Sequence, residues 1–201
     1  MNKIFSISFF VLIISIGIFQ YSRNIDVNVN YERFNLVSPG VLRTPDERFN
    51  DLKDYDFEPN YLEIDGLRIH YLDEGPKNGE IIYLLHGEPA WSYLFRKMIP
   101  ILTDAGYRVI APDMIGFGKS DKYIDIDDYS HQMHVDTMSE LIRQLDLKNM
   151  TAHVHDWGGL VGLRVIAEES ERFSRVIASN TGLIAPVSYT HLRAHETLLD
   201  L

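Results

Sequence analysis

No cysteine occurs among the 201 residues. Disulfides, thiolate nucleophiles and zinc–sulfur sites are excluded together. That absence says nothing about compartment, because a cysteine-free chain survives in either redox environment. Positive charge is in short supply as well: 19 lysines and arginines stand against 29 aspartates and glutamates, a formal net charge of −10. No basic stripe is present anywhere, so a nucleic-acid partner is not expected. Internal repeats are lacking too. What is there is enough chain for one domain with a real hydrophobic core.

Long apolar runs are absent except at the start. After Met1-Asn2-Lys3, residues 4–19 are apolar apart from serines and one glycine. At roughly sixteen residues the run is shorter than the ~20 of a spanning helix, and it suits the core of a signal peptide. Gln20-Tyr21-Ser22 makes a poor cleavage site, and Lys3 against the single Arg23 biases the segment toward an N-in orientation. The expectation is a signal anchor over residues 1–22 that holds the domain at the membrane, outside the cytoplasm. A cleaved signal peptide, giving a periplasmic protein, is the alternative. Residues 23–40 carry no clear period and read as a tether.

From residue 41 the pattern becomes that of a folded domain. Residues 61–64 and 67–72 alternate around Asp65-Gly66, the signature of a tight hairpin. Residues 80–85 form an apolar run that stops at His86-Gly87-Glu88-Pro89, as a buried parallel strand does. Residues 92–105 read as a helix with Leu94, Met98, Ile99 and Leu102 on its inner face. A strand over 108–111 ends at Pro112, and 113–128 is a loop rich in Gly, Asp and Lys. Residues 131–147 form an amphipathic helix through Val135, Met138, Leu141, Ile142 and Leu145. Strands over 150–154 and 175–179 flank a helix over 160–167. Such alternation predicts an α/β fold with a mostly parallel sheet and helices on both faces. Chemistry in such sheets sits beyond the carboxyl ends of the strands, here the loops 86–91, 113–122 and 155–159.

The third loop is His155-Asp156-Trp157-Gly158-Gly159, set between a strand and a helix. An acidic residue on a sharp strand-to-helix turn, with small residues after it, has the layout of a nucleophile elbow. A carboxylate nucleophile gives an ester with the substrate carbon and suits displacement at an alkyl carbon. The same pentapeptide equally fits an ordinary Asp cap of a helix. If Asp156 is the nucleophile, the Glu88 and Trp157 amides are the candidate oxyanion hole, and the Trp157 indole N–H is a candidate donor to a departing anion. The alternatives are core packing for Trp157 and a solvated or helix-start acid for Glu88.

The segment from His86-Gly87-Glu88-Pro89-Ala90-Trp91-Ser92-Tyr93-Leu94-Phe95-Arg96 to Pro100 resembles the oxyanion-loop segment of the haloalkane dehalogenases. Ala111-Pro112-Asp113-Met114-Ile115-Gly116-Phe117-Gly118-Lys119-Ser120-Asp121-Lys122 is similar to that family's next shared block, and residues 155–159 to its elbow. Arg43-Thr44-Pro45-Asp46-Glu47-Arg48-Phe49 and Pro59-Asn60-Tyr61-Leu62 point to the subfamily that degrades 1,2-dichloroethane. The resemblance covers residues 41–183. It implies an α/β-hydrolase fold and cleavage of a carbon–halogen bond to an alcohol, a halide and a proton. The partners it implies are a small halogenated alkane and water, with no metal or organic cofactor. By the same resemblance Asp156 is the nucleophile, Trp157 one of two halide-binding side chains, and the Glu88 and Trp157 amides the oxyanion hole. An epoxide hydrolase is the rival, sharing the aspartate, a following tryptophan and a His-Gly-x-Pro loop.

The chain departs from that family after residue 185. The cap domain, the supporting acid and the water-activating histidine have no matching positions, and His191, His195 and Glu196 are the nominal substitutes. Residues 41–185 therefore read as the N-terminal part of an α/β-hydrolase core, cut off before the cap and the last strands and expected to be inactive alone. Residues 186–201 look like one frame of a translated sequencing adapter, or else a short C-terminal helix. A non-catalytic, membrane-tethered fragment with a binding role is the alternative to an enzyme.

Overall fold

The structure is a computed structural model that describes residues 35–182. The apolar segment 4–19, the tail 186–201 and with it His191, His195 and Glu196 lie outside the described residues.

The chain runs β1 (Asn35–Ser38), β2 (Val41–Arg43), β3 (Asn60–Ile64), β4 (Leu67–Glu74), β5 (Ile81–Leu85), α1 (Met98–Asp104), β6 (Arg108–Pro112), β7 (Lys122–Tyr123), α2 (His131–Gln144), β8 (Met150–His155), α3 (Trp157–Glu168) and β9 (Phe173–Ser179). Six strands form one sheet in the order β3-β4-β6-β5-β8-β9. The last four in that order are mutually parallel, and β3 and β4 extend the sheet antiparallel. The β3–β4 hairpin closes at Asp65 (φ 50°) and Gly66 (φ 77°). Positive φ at both central residues gives the turn whose twist matches the strands, as the Asp-Gly pair foretold.

The apolar runs of the parallel strands exist because both faces of the sheet are covered. Side chains alternate along β5: Tyr83 and Leu85 join one core, and Leu84 joins the other. The larger core takes Val135, Met138, Leu141 and Ile142 from α2 and Val161 and Val165 from α3. The smaller takes Phe95 and Ile99 from the α1 side, together with Tyr55, Leu72 and Val109. Helix α2 is capped by Ser130, whose hydroxyl accepts the Met133 N–H at 3.0 Å. It ends at Gln144 rather than at 147, although Leu147 still reaches the core.

Four expectations are corrected. Residues 92–105 do not make one helix: Ser92–Phe95 is a 3₁₀ turn, and α1 starts afresh at Met98. Pro100 explains the restart, since its missing N–H costs nothing in a first turn and breaks a helix interior. The buried face is accordingly Phe95 and Ile99, while Leu94 and Met98 are 41% and 38% exposed. The 23–40 tether is shorter than expected, because β1 begins at Asn35 and pairs with β2. The 113–128 loop contributes β7, which pairs with β2 to make a small three-stranded sheet. Finally, β9 starts at Phe173, not 175, and ends the sheet with Val176 and Ile177 exposed.

That small sheet is tied to the main one by charge. Arg43 grips the buried Asp121 carboxylate with two bonds, at 2.7 and 2.9 Å, and the Arg68 N–H donates to the same group at 2.8 Å. Asp121 is thereby paired and hydrogen-bonded, the condition for burying a carboxylate.

Candidate active site

Strand β8 delivers the chain to Asp156 at the carboxyl edge of the sheet, and α3 leaves from the next residue. Asp156 itself sits at φ 54°, ψ −127°. A non-glycine residue there is strained by about 1–3 kcal/mol and stays only where its surroundings over-determine it. The turn brings α3 hard against the end of β5: a Cβ on Gly158 would run into the Leu85 and His86 carbonyls. Glycine at this place is a steric necessity, as the sequence reading required.

The facing wall is the loop after β5. Its Glu88 N–H donates to Asp156 Oδ1 at 3.0 Å, and Gly87 passes so near that a Cβ would overlap the carboxylate. Among the described residues, the Glu88 amide is the one donor bonded to that carboxylate. The Trp157 N–H, the second expected oxyanion donor, does not bond to the carboxylate in this structure. The oxyanion of ester hydrolysis forms on one of the carboxylate's own oxygens, so that oxygen must reach the Trp157 amide during the reaction for the amide to serve as the second donor.

The Glu88 loop is held from beneath by a buried imidazole. His86 Nε2 accepts the Met114 N–H at 3.0 Å, which leaves Nδ1 to donate to the Gly87 carbonyl at 3.0 Å. Burial holds the His86 ring below its ordinary pKa, against the pull of Asp113. The neutral, Nδ1-protonated tautomer therefore links the loop after β5 to the loop after β6. Asp113, also fully buried, accepts the Ser92 N–H at 2.7 Å, the Lys119 N–H at 2.9 Å and His70 Nδ1–H at 2.8 Å. Burial alone would raise its pKa; the His70 hydrogen bond, helped by the Ser92 N–H, outweighs that and keeps the carboxyl below the usual range.

Trp157 is 48% exposed, so the core-packing alternative does not describe it. It lines a cavity of about 220 Å³ with Glu88, Met114, Phe117, Tyr129 and His134. Asp156 opens instead on a shallower cleft of about 350 Å³ beside Leu160, Asn180 and Thr181, and Trp157 borders both. His134 and Thr181 escaped the sequence reading. His131 and His134, three apart on α2, were a visible signal of a polar end to an apolar helix. Burial pushes the His134 imidazole down to about 4, and its Nδ1 is buried with no hydrogen-bond partner among the described residues. Among the described residues no three histidine, aspartate or glutamate side chains converge as a metal site would require.

Comparisons to known proteins identify the fold and its relatives. The family model for the α/β hydrolase fold matches residues 80–198. A haloalkane dehalogenase of Psychrobacter cryohalolentis is 57% identical over 148 residues, which cover 71% of this chain and 49% of that protein. Haloalkane dehalogenase DpaA of Paraglaciecola agarilytica superposes with a TM-score of 0.69 at 43% identity, over 80% of this chain and 57% of that one. Epoxide hydrolase VrEH1 of Vigna radiata superposes with a TM-score of 0.62 at 25% identity, over 73% and 47%. The chain spans about half the length of the curated relatives it matches. A strained aspartate on a strand-to-helix turn, faced by an amide from the neighbouring strand's loop, sits in a chain that belongs to the α/β hydrolase family, with relatives among the haloalkane dehalogenases.

Proposed function

We propose that the protein hydrolyses a carbon–halogen bond through an aspartyl ester. An Asp156 carboxylate oxygen displaces halide from an alkyl carbon, forming the C–O bond as the C–X bond breaks. Water then attacks the ester carbonyl carbon, releasing the alcohol and a proton and restoring the carboxylate. The Glu88 N–H, aimed at Oδ1, steadies the carboxylate in the first step and, with the Trp157 N–H, the oxyanion in the second. The Trp157 indole, half-exposed at the rim of the cavity, donates to the leaving halide. The observation that carries the reading is the bond from the Glu88 amide to a carboxylate held at a strained turn. Haloalkane dehalogenase DpaA superposes at 43% identity against 25% for epoxide hydrolase VrEH1, which favours a halide over an epoxide oxygen as the leaving group.

The water-activating histidine and its supporting acid are expected in the half of the relatives' length that this chain does not span. Residues 4–19 are proposed to hold the protein at a membrane with the domain outside the cytoplasm. The decisive experiment is Asp156→Asn in the longest product of the gene, with halide release from 1,2-dibromoethane as readout and mass spectrometry to exclude deamidation. Loss of halide release is expected; substantial release by the verified variant overturns the reading.

A further inference from the structure

Thr181, two residues past the end of β9, donates from Oγ1 to the Asp156 carbonyl at 2.7 Å. The same carbonyl accepts the Gly159 N–H at 2.8 Å. The contact is also steric, because a Cβ on Gly159 would fall on the Thr181 Oγ1, Cβ and Cγ2 atoms. Gly159 is therefore small to admit Thr181, and Thr181 comes in to reach the carbonyl of the strained residue.

That carbonyl belongs to a planar peptide unit whose other half is the Trp157 N–H. In a trans peptide the two point in opposite directions, so fixing one fixes the other. Two donors on the Asp156 carbonyl leave the plane no freedom to rotate about the strained ψ of −127°. We propose that Thr181 is the positioning residue of this turn, holding the Asp156–Trp157 peptide plane so that the Trp157 amide is aimed as the second oxyanion donor. The inference deepens the proposed reaction and rests on it. It also makes the two chemical steps respond differently. Displacement of halide needs the carboxylate and the indole, and the Thr181 hydroxyl bonds to neither but to the backbone carbonyl. Hydrolysis of the ester needs the oxyanion donor that Thr181 aims.

The test compares Thr181→Val, which keeps the shape and removes the hydroxyl, with Thr181→Ser, which keeps the hydroxyl. Rapid-quench mass spectrometry of the longest gene product with 1,2-dibromoethane follows the alkyl-enzyme. In Thr181→Val the ester should accumulate, hydrolysing slower by about tenfold or more, as loss of an oxyanion donor implies. Its formation rate and halide quenching of tryptophan fluorescence should be unchanged, and Thr181→Ser should behave as the parent protein. Wild-type hydrolysis in Thr181→Val, or equal damage in both variants, overturns the proposal. If the parent protein forms no ester, the aspartyl-ester reading has failed. Hydrogen exchange of the 154–163 backbone then decides the positioning role alone: it should speed up in Thr181→Val and not in Thr181→Ser, and equal exchange in both overturns it.

Discussion

Gly87 and Asp156 approach so closely that a methyl group on the first would occupy the space of the second's carboxylate. The Glu88 amide reaches Oδ1 at 3.0 Å only because Gly87 has no side chain to hold the two loops apart. The contact that serves the chemistry is thus fixed by an absence of atoms in the neighbouring residue.

Gly87→Ala should push the loop off the carboxylate and remove the Glu88 donor. A fall of about 10²–10³ in turnover is expected, the usual cost of one oxyanion donor. The core packed beneath is untouched, so far-ultraviolet circular dichroism should stay that of the parent protein. Near-normal turnover in a folded Gly87→Ala protein would remove the Glu88 amide from the mechanism.

Trp157→Phe keeps an aromatic ring at the rim of the cavity and loses the N–H. If the indole holds the leaving halide, the barrier should rise by about 2.7–4 kcal/mol, by analogy with one lost donor to a developing anion. Halide affinity should fall in parallel. Trp91 remains as a fluorophore, so halide quenching can be followed in both proteins; quenching that survives in Trp157→Phe would place the halide elsewhere.

Acid should destabilise the fold through the partly buried His134. Burial sets the His134 pKa at about 4 in the folded protein, below the 6.5 of an unfolded histidine. The unfolded chain therefore binds the extra proton as pH falls from 6.5 toward 4, and stability drops through that window. His86 and His153, also lowered by burial, act in the same direction. His134→Gln should flatten the dependence of melting temperature on pH between 6.5 and 4. A slope as steep as that of the parent protein would show that His134 is already solvated in the fold.

The N-terminal segment makes its own prediction. A fusion of the full chain to a reporter active only outside the cytoplasm should be active and sediment with membranes. A mature protein starting near residue 23 would select the cleaved form, and a wholly cytoplasmic fusion would dismiss both.

What could be read from the sequence was local. The Asp65-Gly66 turn, the apolar β5 run ended by His86 and the elbow at Asp156 each announce themselves within a few residues, because turn chemistry and strand period are short-range. The Ser92–Phe95 turn was misread because Leu94 and Met98 keep a helical spacing across the place where Pro100 forces a restart. The Asp113 cluster was invisible for a different reason. His70 on β4, Ser92 after β5, and Asp113 with Lys119 after β6 come from separate segments, and the pairing of β6 with both β4 and β5 brings them together. Thr181 was hidden likewise, since its partner is a backbone carbonyl and no side-chain pattern marks it.

The strand order carries a consequence for how the molecule comes into being. Leu85 and Val154, at the ends of the two strands that carry the site, are direct neighbours in the sheet. The whole of α1, β6, β7 and α2 lies between them in sequence. Their pairing is a long-range closure of the kind that slows folding. Until it forms, Glu88 and Asp156 belong to separate stretches of chain, so the reactive centre cannot exist before this pairing does.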